Sequence, residues 1–258
     1  ISNSVTPTAS DGPLSVGIIG DGTPKLSING GAWVTSGNLN PSDSLRISLN
    51  SSGIDLTTRT AVLTLGDYNT NWSVRTKASC ISGSQVFVMA GGSSQSFVVP
   101  EGCTEIRVKA WGGGGAGESG GGGGGGYTGS NIAVTPGETL TVLIGGGGGV
   151  PTGGVNGGGV ATNVFGGGGC SMIKRSSILL LVAAGGGGGY SGGAGGYPKG
   201  QDGLPNGGKG GNQTAGGPGA YCGGSQGGYL SGGNGLTIGG GCGYYGGGGE
   251  NWYFMGCE

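Results

Sequence analysis

Apolar and polar residues alternate in short runs between residues 13 and 78. In the run SLRISLN, for example, Leu45, Ile47 and Leu49 alternate with polar residues. Alternation over about four to six residues is typical of strands that bury one face. Asn, Asp, Pro and Gly separate the runs, as expected for tight turns. The pattern predicts roughly five to seven short strands, which favours a small immunoglobulin-like β-sandwich over 13–78.

A second group of strands is predicted after residue 95. The pair Val98-Val99 precedes a Pro-Glu-Gly turn and alternation resumes over 106–110, which predicts a β-hairpin. Two more strands, 131–134 and 139–144, are predicted on either side of a tight turn, and a last strand is predicted over 176–184. The chain between these strands consists largely of glycine, so long glycine runs interrupt the second group.

Glycine dominates the composition of the chain. It contributes 75 of the 258 residues, and 10 prolines bring the sum to 85, about a third of the chain, against a usual share of about 12%. No Gly-X-Y period runs through the sequence, which excludes collagen. The longest glycine-rich tract, 185–249, contains tyrosines spaced through the glycines. It has few of the Ser, Glu and Lys residues that are typical of disordered linkers.

The glycine tract has two interpretations: a flexible linker, or an ordered lattice of polyglycine II helices. Polyglycine II is an extended left-handed helix with about three residues per turn and no internal hydrogen bonds. Its N–H and C=O groups point outward, so neighbouring helices can approach closely and satisfy each other's backbone groups. The interleaved strands, together with tyrosines that can serve as anchors, favour the ordered lattice.

The pattern divides the chain into four regions: an N-terminal arm over 1–12, the immunoglobulin-like β-sandwich over 13–78, a connector over 79–95 and a glycine-rich domain over 96–258. We interpret the polar, turn-rich arm as a free arm or as a strand donated to a neighbouring subunit. The last residues form an apolar cluster that packs on the domain's own core or against another subunit. The candidate residues for self-association are Ile1, Val5, Trp252, Tyr253, Phe254 and Met255.

The side chains that carry most enzymatic chemistry are scarce. Histidine is absent, which excludes Ser-His-Asp triads, imidazole bases and His-ligated metals. Only 9% of the residues are charged, with a net charge of -1, which argues against nucleic acid as a partner. The run GLPNGGK over 203–209 is similar to a phosphate loop but lacks the Ser or Thr that should follow. We therefore expect no enzymatic activity, no cofactor and no metal site.

Cysteines are the remaining reactive side chains. None forms a CxxC pair, so zinc ligation is disfavoured and disulfides in an oxidising compartment are expected. Free thiols that act as small apolar residues are the alternative. Six cysteines allow 15 pairings, and one pairing that we consider joins Cys242 to Cys257. The candidate disulfide cysteines are Cys80, Cys103, Cys170, Cys222, Cys242 and Cys257.

The location of the protein follows from its apolar stretches and its cysteines. The longest apolar stretch, 178–184, is too short to cross a bilayer, so we expect no membrane span. The sequence opens at Ile1 without a recognisable signal peptide, which we interpret as a processed chain released outside the cell. We expect an extracellular protein at a cell surface or a virion surface.

Four sequence blocks together resemble a known family. They are SFVVPEGCTEIRVKAWGGGG, YTGSNIAVTPGETLTVLIGGGGG, NGGGVATNVF and SSILLLVAAGGGGG. They resemble the glycine-rich domain of the anaplastic lymphoma kinase and leukocyte tyrosine kinase receptors, a pattern similar to that of bacterial and phage surface proteins. The resemblance implies a β-sandwich like that of tumour necrosis factor, with polyglycine II helices inserted and packed as a bundle. A looser similarity links the chain to the tip adhesins of phage long tail fibres.

These observations lead to two hypotheses on function. The first is a non-catalytic structural protein that associates with itself to form an extracellular fibre or filament, or a surface assembly. The second is a phage tail-fibre tip or a bacterial adhesin, whose loops would bind a cell-surface receptor or a glycan. The first hypothesis makes other copies of the chain the partner, and the second makes adhesion the function.

Overall fold

The computed structural model describes residues 1–6, 12–118, 121–189, 192–203, 208–220 and 224–249. These residues form strands, turns and extended segments, with no α-helix among them, so the prediction of an all-β protein is confirmed. The chain divides into two compact units, residues 1–80 and residues 81–258.

The first unit contains two antiparallel sheets. Strands β1 and β5 form the centre of a four-stranded sheet of order β3-β1-β5-β6, and β2 pairs with β4 in a two-stranded sheet. Gly66, with a φ of 58°, opens the two-residue turn between β5 and β6 and adopts this left-handed conformation without the strain that a side chain would bring. The strands are β1 (Leu14–Gly20), β2 (Lys25–Ile28), β3 (Ser36–Leu39), β4 (Leu45–Ser48), β5 (Thr58–Leu65) and β6 (Tyr68–Arg75).

The alternating residues of the first unit form its core. Val16 and Ile18 on β1 are buried together with Leu45 and Ile47 on β4, while the residues between them are more exposed. Leu26 on β2 is fully buried in the same cluster. The period-two pattern therefore identified the buried faces correctly, because successive side chains of a strand point to opposite faces.

The second unit has a β-sandwich-like arrangement. A four-stranded sheet of order β12-β11-β10-β7 and a two-stranded sheet of β8 and β9 share one apolar core, which includes Val99, Ile132, Leu140 and Leu181. The hydroxyl of Ser171 also donates to the carbonyl of Trp111 at 2.6 Å. The strands are β7 (Gln95–Val98), β8 (Glu105–Trp111), β9 (Tyr127–Ala133), β10 (Thr139–Leu143), β11 (Ser171–Arg175) and β12 (Ile178–Ala183).

The predicted hairpin between 98–99 and 106–110 is wrong. Strand β7 pairs with β10, with Val98 opposite Thr139, whereas β8 pairs with β9. The turn after residue 134 likewise joins strands that belong to different sheets. Alternation identifies a strand but not its partner, and consecutive strands of a sandwich often lie in opposite sheets. The last predicted strand is observed as β12, and the pattern missed β11.

The glycine segments bond to one another through their backbones in a three-residue repeat. The N–H groups of residues 185 to 189, taken in order, donate to the carbonyls of Cys242, Gly113, Gly193, Gly239 and Ala116, respectively, at 2.7–2.9 Å. Donors three residues apart therefore bond the same neighbouring segment. One neighbour runs parallel to residues 185–189 and another runs antiparallel to them, as the order of the acceptors shows.

The same repeat occurs elsewhere in the second unit. The N–H groups of residues 166–169 donate to the carbonyls of Gly149, Gly159, Gly186 and Gly146. Those of residues 246–249 donate to the carbonyls of Gly228, Gly241, Lys209 and Ser225. Each segment thus bonds to three neighbours, which gives buried backbone groups the partners that they require.

Candidate self-association strand and aromatic groove

Residues 1–6 lie along the edge of β4. The N–H of Val5 donates to the carbonyl of Leu45 at 2.9 Å, and the N–H of Leu45 donates back to Val5 at 2.7 Å. The N–H of Ser2 donates to the carbonyl of Ile47 at 2.9 Å, and its hydroxyl accepts the Ile47 N–H at 3.0 Å. The described part of the predicted arm therefore pairs with the edge of β4 in its own chain, through an isolated bridge at Val5 and bonds at Ser2.

The contact between the arm and β4 depends on the backbone. The side chains of Ile1 and Val5 are 73% and 60% exposed, so little apolar surface is buried when the arm binds. On β4, Leu45 and Ile47 are buried and Arg46 is exposed. An edge strand offers unpaired N–H and C=O groups that any suitable extended segment can satisfy.

The other candidates for self-association lie outside the described residues. They are Trp252, Tyr253, Phe254 and Met255. Residues 7–11 of the predicted arm lie outside them too.

A disulfide joins Cys170 to Cys242 inside the second unit. Their Cα atoms are 5.3 Å apart and both residues are buried, with Met172 beside them. The bond connects the start of β11 to a glycine segment that is distant in sequence. The alternative of a bond between Cys242 and Cys257 is therefore wrong.

Of the remaining cysteines, the structure describes Cys80 and Cys103. Both are disulfide-bonded, and no free cysteine occurs in the described part of the chain. Cys222 and Cys257 lie outside that part.

Tyrosines line a shallow groove on the second unit. The groove is shallow, because the empty space of about 300 Å³ beside its walls includes open solvent. It lies between strands β9 and β12 on one side and glycine segments on the other. Its lining residues are Gly126, Tyr127, Thr128, Val182, Ala184, Gly196, Tyr197, Gln213 and Tyr244.

Neighbouring aromatic rings hold two of these tyrosines. Trp111 and Tyr127 are opposite each other at the paired ends of β8 and β9, with ring centroids 5.2 Å apart. The ring of Tyr244 contacts those of Tyr229 and Tyr245 edge to face, at 5.3 and 5.6 Å. Such contacts between rings fix ring orientation while leaving other faces open.

Sequence reasoning treated the tyrosines as anchors and missed the groove. A signal was present, because Trp111 and Tyr127 flank one glycine-rich insert, 112–126. No comparable signal marked Gln213 or Tyr244, which the glycine segments bring to the groove from distant parts of the sequence.

The ion pair between Glu138 and Arg175 stabilises a turn rather than forming a reactive centre. Arg175 Nε lies 2.8 Å from Glu138 Oε2, and Glu138 Oε1 accepts the Thr135 N–H at 2.9 Å. The Arg175 hydrogen bond, followed by the Thr135 N–H, lowers the pKa of Glu138. The carboxylate therefore closes the turn between β9 and β10 and ties it to β11.

Asp202 has a similar structural role in the glycine segments. It accepts the Gly210 N–H at 2.9 Å and pairs with Lys199 at 3.0 Å. The Gly210 bond and then the Lys199 bond lower its pKa. The carboxylate thus ties two extended segments together.

The described residues contain neither a cluster of metal ligands nor a membrane-spanning helix. Within the described ranges, no three His, Cys, Asp or Glu side chains are grouped so that they could hold a metal ion. The same residues include no helix with the length and apolar character needed to cross a membrane.

Comparison with known proteins gives one match. Residues 88–257 match a family model described as a glycine-rich domain. Searches of curated proteins and of solved structures return no match.

Proposed function

Because the chain belongs to the glycine-rich domain family through residues 88–257, we propose that it is a non-catalytic structural subunit that associates with itself into an extracellular fibre or surface assembly. The observation that carries the proposal is the backbone pairing of residues 1–6 with β4. An edge that accepts the arm of its own chain can accept the same arm from another copy.

Exchange of the arm would produce an open assembly. Each subunit would insert its arm beside β4 of the next copy, so the donor and acceptor surfaces differ. Contacts of this head-to-tail kind extend into filaments unless the rotation between subunits closes a ring. Exchange would retain the hydrogen bonds formed within one chain, so it needs little new binding energy at high subunit concentration.

The glycine segments would give such a subunit its stiffness. We propose that they form a bundle of packed polyglycine II helices, as in the surface proteins that the sequence resembles. Support comes from the repeat of three residues in their hydrogen bonds, which equals the period of that helix. In the same proposal, the first unit is immunoglobulin-like and the strands of the second unit form a sandwich like that of tumour necrosis factor.

The proposed location is the outside of a cell or a virion. Disulfides persist in oxidising surroundings and are rare in the cytosol. The bond between Cys170 and Cys242 is buried in the second unit, and Cys80 and Cys103 are also oxidised.

A second candidate function is adhesion, as a phage tail-fibre tip or a bacterial adhesin. The exposed aromatic side chains of the second unit favour it, since Tyr197 is 78% exposed and Trp111 is 60% exposed. Aromatic residues are enriched at binding surfaces. A fibre subunit can also carry such a surface, so both functions are compatible.

A cross-linking experiment tests arm exchange. Extension of the antiparallel Val5–Leu45 bridge by one residue would place Ser4 opposite Arg46, and paired residues of antiparallel strands have Cα separations that a disulfide can span. The double variant Ser4→Cys/Arg46→Cys is assembled, oxidised and run on a non-reducing denaturing gel beside electron micrographs. Exchange predicts a ladder of covalent multimers, because each arm is bonded to another subunit.

The controls separate exchange from other modes of assembly. Wild-type protein should run as a monomer, and each single-cysteine variant should give dimers at most. If the double variant forms filaments but runs on the gel only as an oxidised monomer, the arm stays on its own chain. Arm exchange would then be rejected. Wild-type protein that stays monomeric at every concentration would reject the structural proposal itself.

A further inference from the structure

The aromatic groove of the second unit has the chemistry of a binding site for an uncharged, hydroxyl-rich ligand. None of its lining residues carries a charge. They supply phenol rings, one side-chain amide from Gln213, one hydroxyl from Thr128, and backbone at Gly126 and Gly196. This combination offers flat apolar faces beside donors and acceptors of hydrogen bonds.

The rings on one side of the groove are held in place before any ligand arrives. Tyr127 contacts the ring of Trp111 and is still 52% exposed. Gly129 leaves room for it, because a Cβ there would come within 2.6 Å of the Tyr127 phenol oxygen. Rigid aromatic side chains lose little conformational entropy when they bind.

The opposite side is built in a similar way from the glycine segments. Tyr244 is fixed by its contacts with Tyr229 and Tyr245 but is 37% exposed. Tyr197 presents most of its ring to solvent. A ligand that lies over the groove would therefore contact the aromatic side chains of Tyr127, Tyr197 and Tyr244, which all line it.

The polar groups of the groove have unused hydrogen-bonding capacity. Thr128 donates its hydroxyl proton to the carbonyl of Val182 at 3.1 Å, so its oxygen can still accept a bond. Among the described residues, the exposed amide of Gln213 has no side-chain hydrogen bond. That amide can both donate and accept, as the recognition of a hydroxyl group requires.

We propose that this groove binds a neutral saccharide. The C–H face of a pyranose ring would stack on the tyrosines, and its hydroxyls would bond with Gln213 and Thr128. The absence of charge among the lining residues disfavours sialylated, sulfated or phosphorylated ligands, which need cationic partners. The inference does not depend on self-assembly, because the groove lies within one unit of one chain.

The test measures binding of the whole 258-residue chain to neutral oligosaccharides of glucose, mannose, galactose and N-acetylglucosamine. Calorimetric titration and tryptophan fluorescence give the affinity. The variants Tyr197→Ala and Gln213→Ala should each weaken binding about tenfold or more, close to 1.4 kcal/mol. Tyr68→Ala is the matched control, because Tyr68 is an exposed tyrosine on β6 of the first unit.

The outcomes distinguish a saccharide site from other uses of the groove. Unchanged melting temperatures for the two groove variants would assign their effect to binding. No saturable binding of any oligosaccharide up to about 10 mM, or binding that neither groove variant weakens, would overturn the proposal. Preference for an anionic glycan or for a peptide in the same assay would overturn it as well. Assembly measured in parallel should be unaffected by the groove variants.

Discussion

Glycine is needed in the extended segments because neighbouring backbones come too close for any side chain. A Cβ at Gly113 would overlap the carbonyl oxygen of Gly146, and a Cβ at Gly123 would overlap that of Gly193. Neither glycine adopts a left-handed φ, so the requirement comes from space and not from backbone conformation. Gly124, next in the chain, faces open space.

Substitution of two adjacent glycines tests this requirement. Gly123→Ala should lower the free energy of unfolding by about 3 kcal/mol or more, because its methyl group would displace a backbone carbonyl that cannot yield as a side chain can. Gly124→Ala should be neutral, or should stabilise the protein by up to about 1 kcal/mol by restricting the unfolded chain. Thermal unfolding followed by calorimetry gives both values. Equal destabilisation by the two substitutions would contradict the close approach.

At the scale of elements, strand positions could be predicted from the sequence but strand partners could not. Leu45 and Ile47 marked β4 through alternation, and both are buried as expected. Val98-Val99 and 106–110 marked strands too, but these strands lie in different sheets. Their pairing was predicted wrongly because alternation contains no information on which strands pair. β11 was missed because Ser171, Met172 and Ile173 are all buried and do not alternate.

The glycine segments limit prediction in another way. Gly185 and Gly186 bond to different neighbours, but two identical residues cannot specify which neighbour each one contacts. The groove depends on these contacts, since they bring Tyr197, Gln213 and Tyr244 beside Tyr127. Its residues could be found only after the segments had been placed.

The disulfide between Cys170 and Cys242 should stabilise the second unit. It closes a loop with a sequence separation of 72, and loss of a native disulfide typically costs about 2–5 kcal/mol. The variant Cys170→Ala/Cys242→Ala removes the bond and keeps two small buried apolar residues at these positions. Chemical denaturation of this variant and of wild-type protein should show the loss. An unchanged midpoint would mean that the backbone hydrogen bonds suffice without it.

At the scale of the whole molecule, the two units of the chain differ in the kind of group that they bury. The first unit buries aliphatic side chains between its sheets. Much of the second unit buries peptide groups that bond to other peptide groups. The heat capacity of unfolding distinguishes the two kinds of burial, since exposure of apolar surface raises it and exposure of polar surface lowers it.

We therefore expect a low heat capacity of unfolding for the chain. Globular proteins show about 12–15 cal/mol/K per residue, and we expect a value below about 10 from scanning calorimetry. Disulfides that keep the unfolded chain compact would also lower the heat capacity of unfolding, but they would lower the denaturant m-value with it. Burial of peptide groups instead lowers the heat capacity relative to the m-value. A normal ratio of the two quantities would contradict the interpretation.

The close approach of the glycine backbones also constrains how the gene can change. Every single-base change that replaces a glycine codon by that of another amino acid adds a side chain. At most positions of the glycine segments, such a side chain would fall on a neighbouring carbonyl. Mutational drift should therefore accumulate at exposed positions such as Gly124, and lineages of this protein should diversify on the surface while the interior stays invariant.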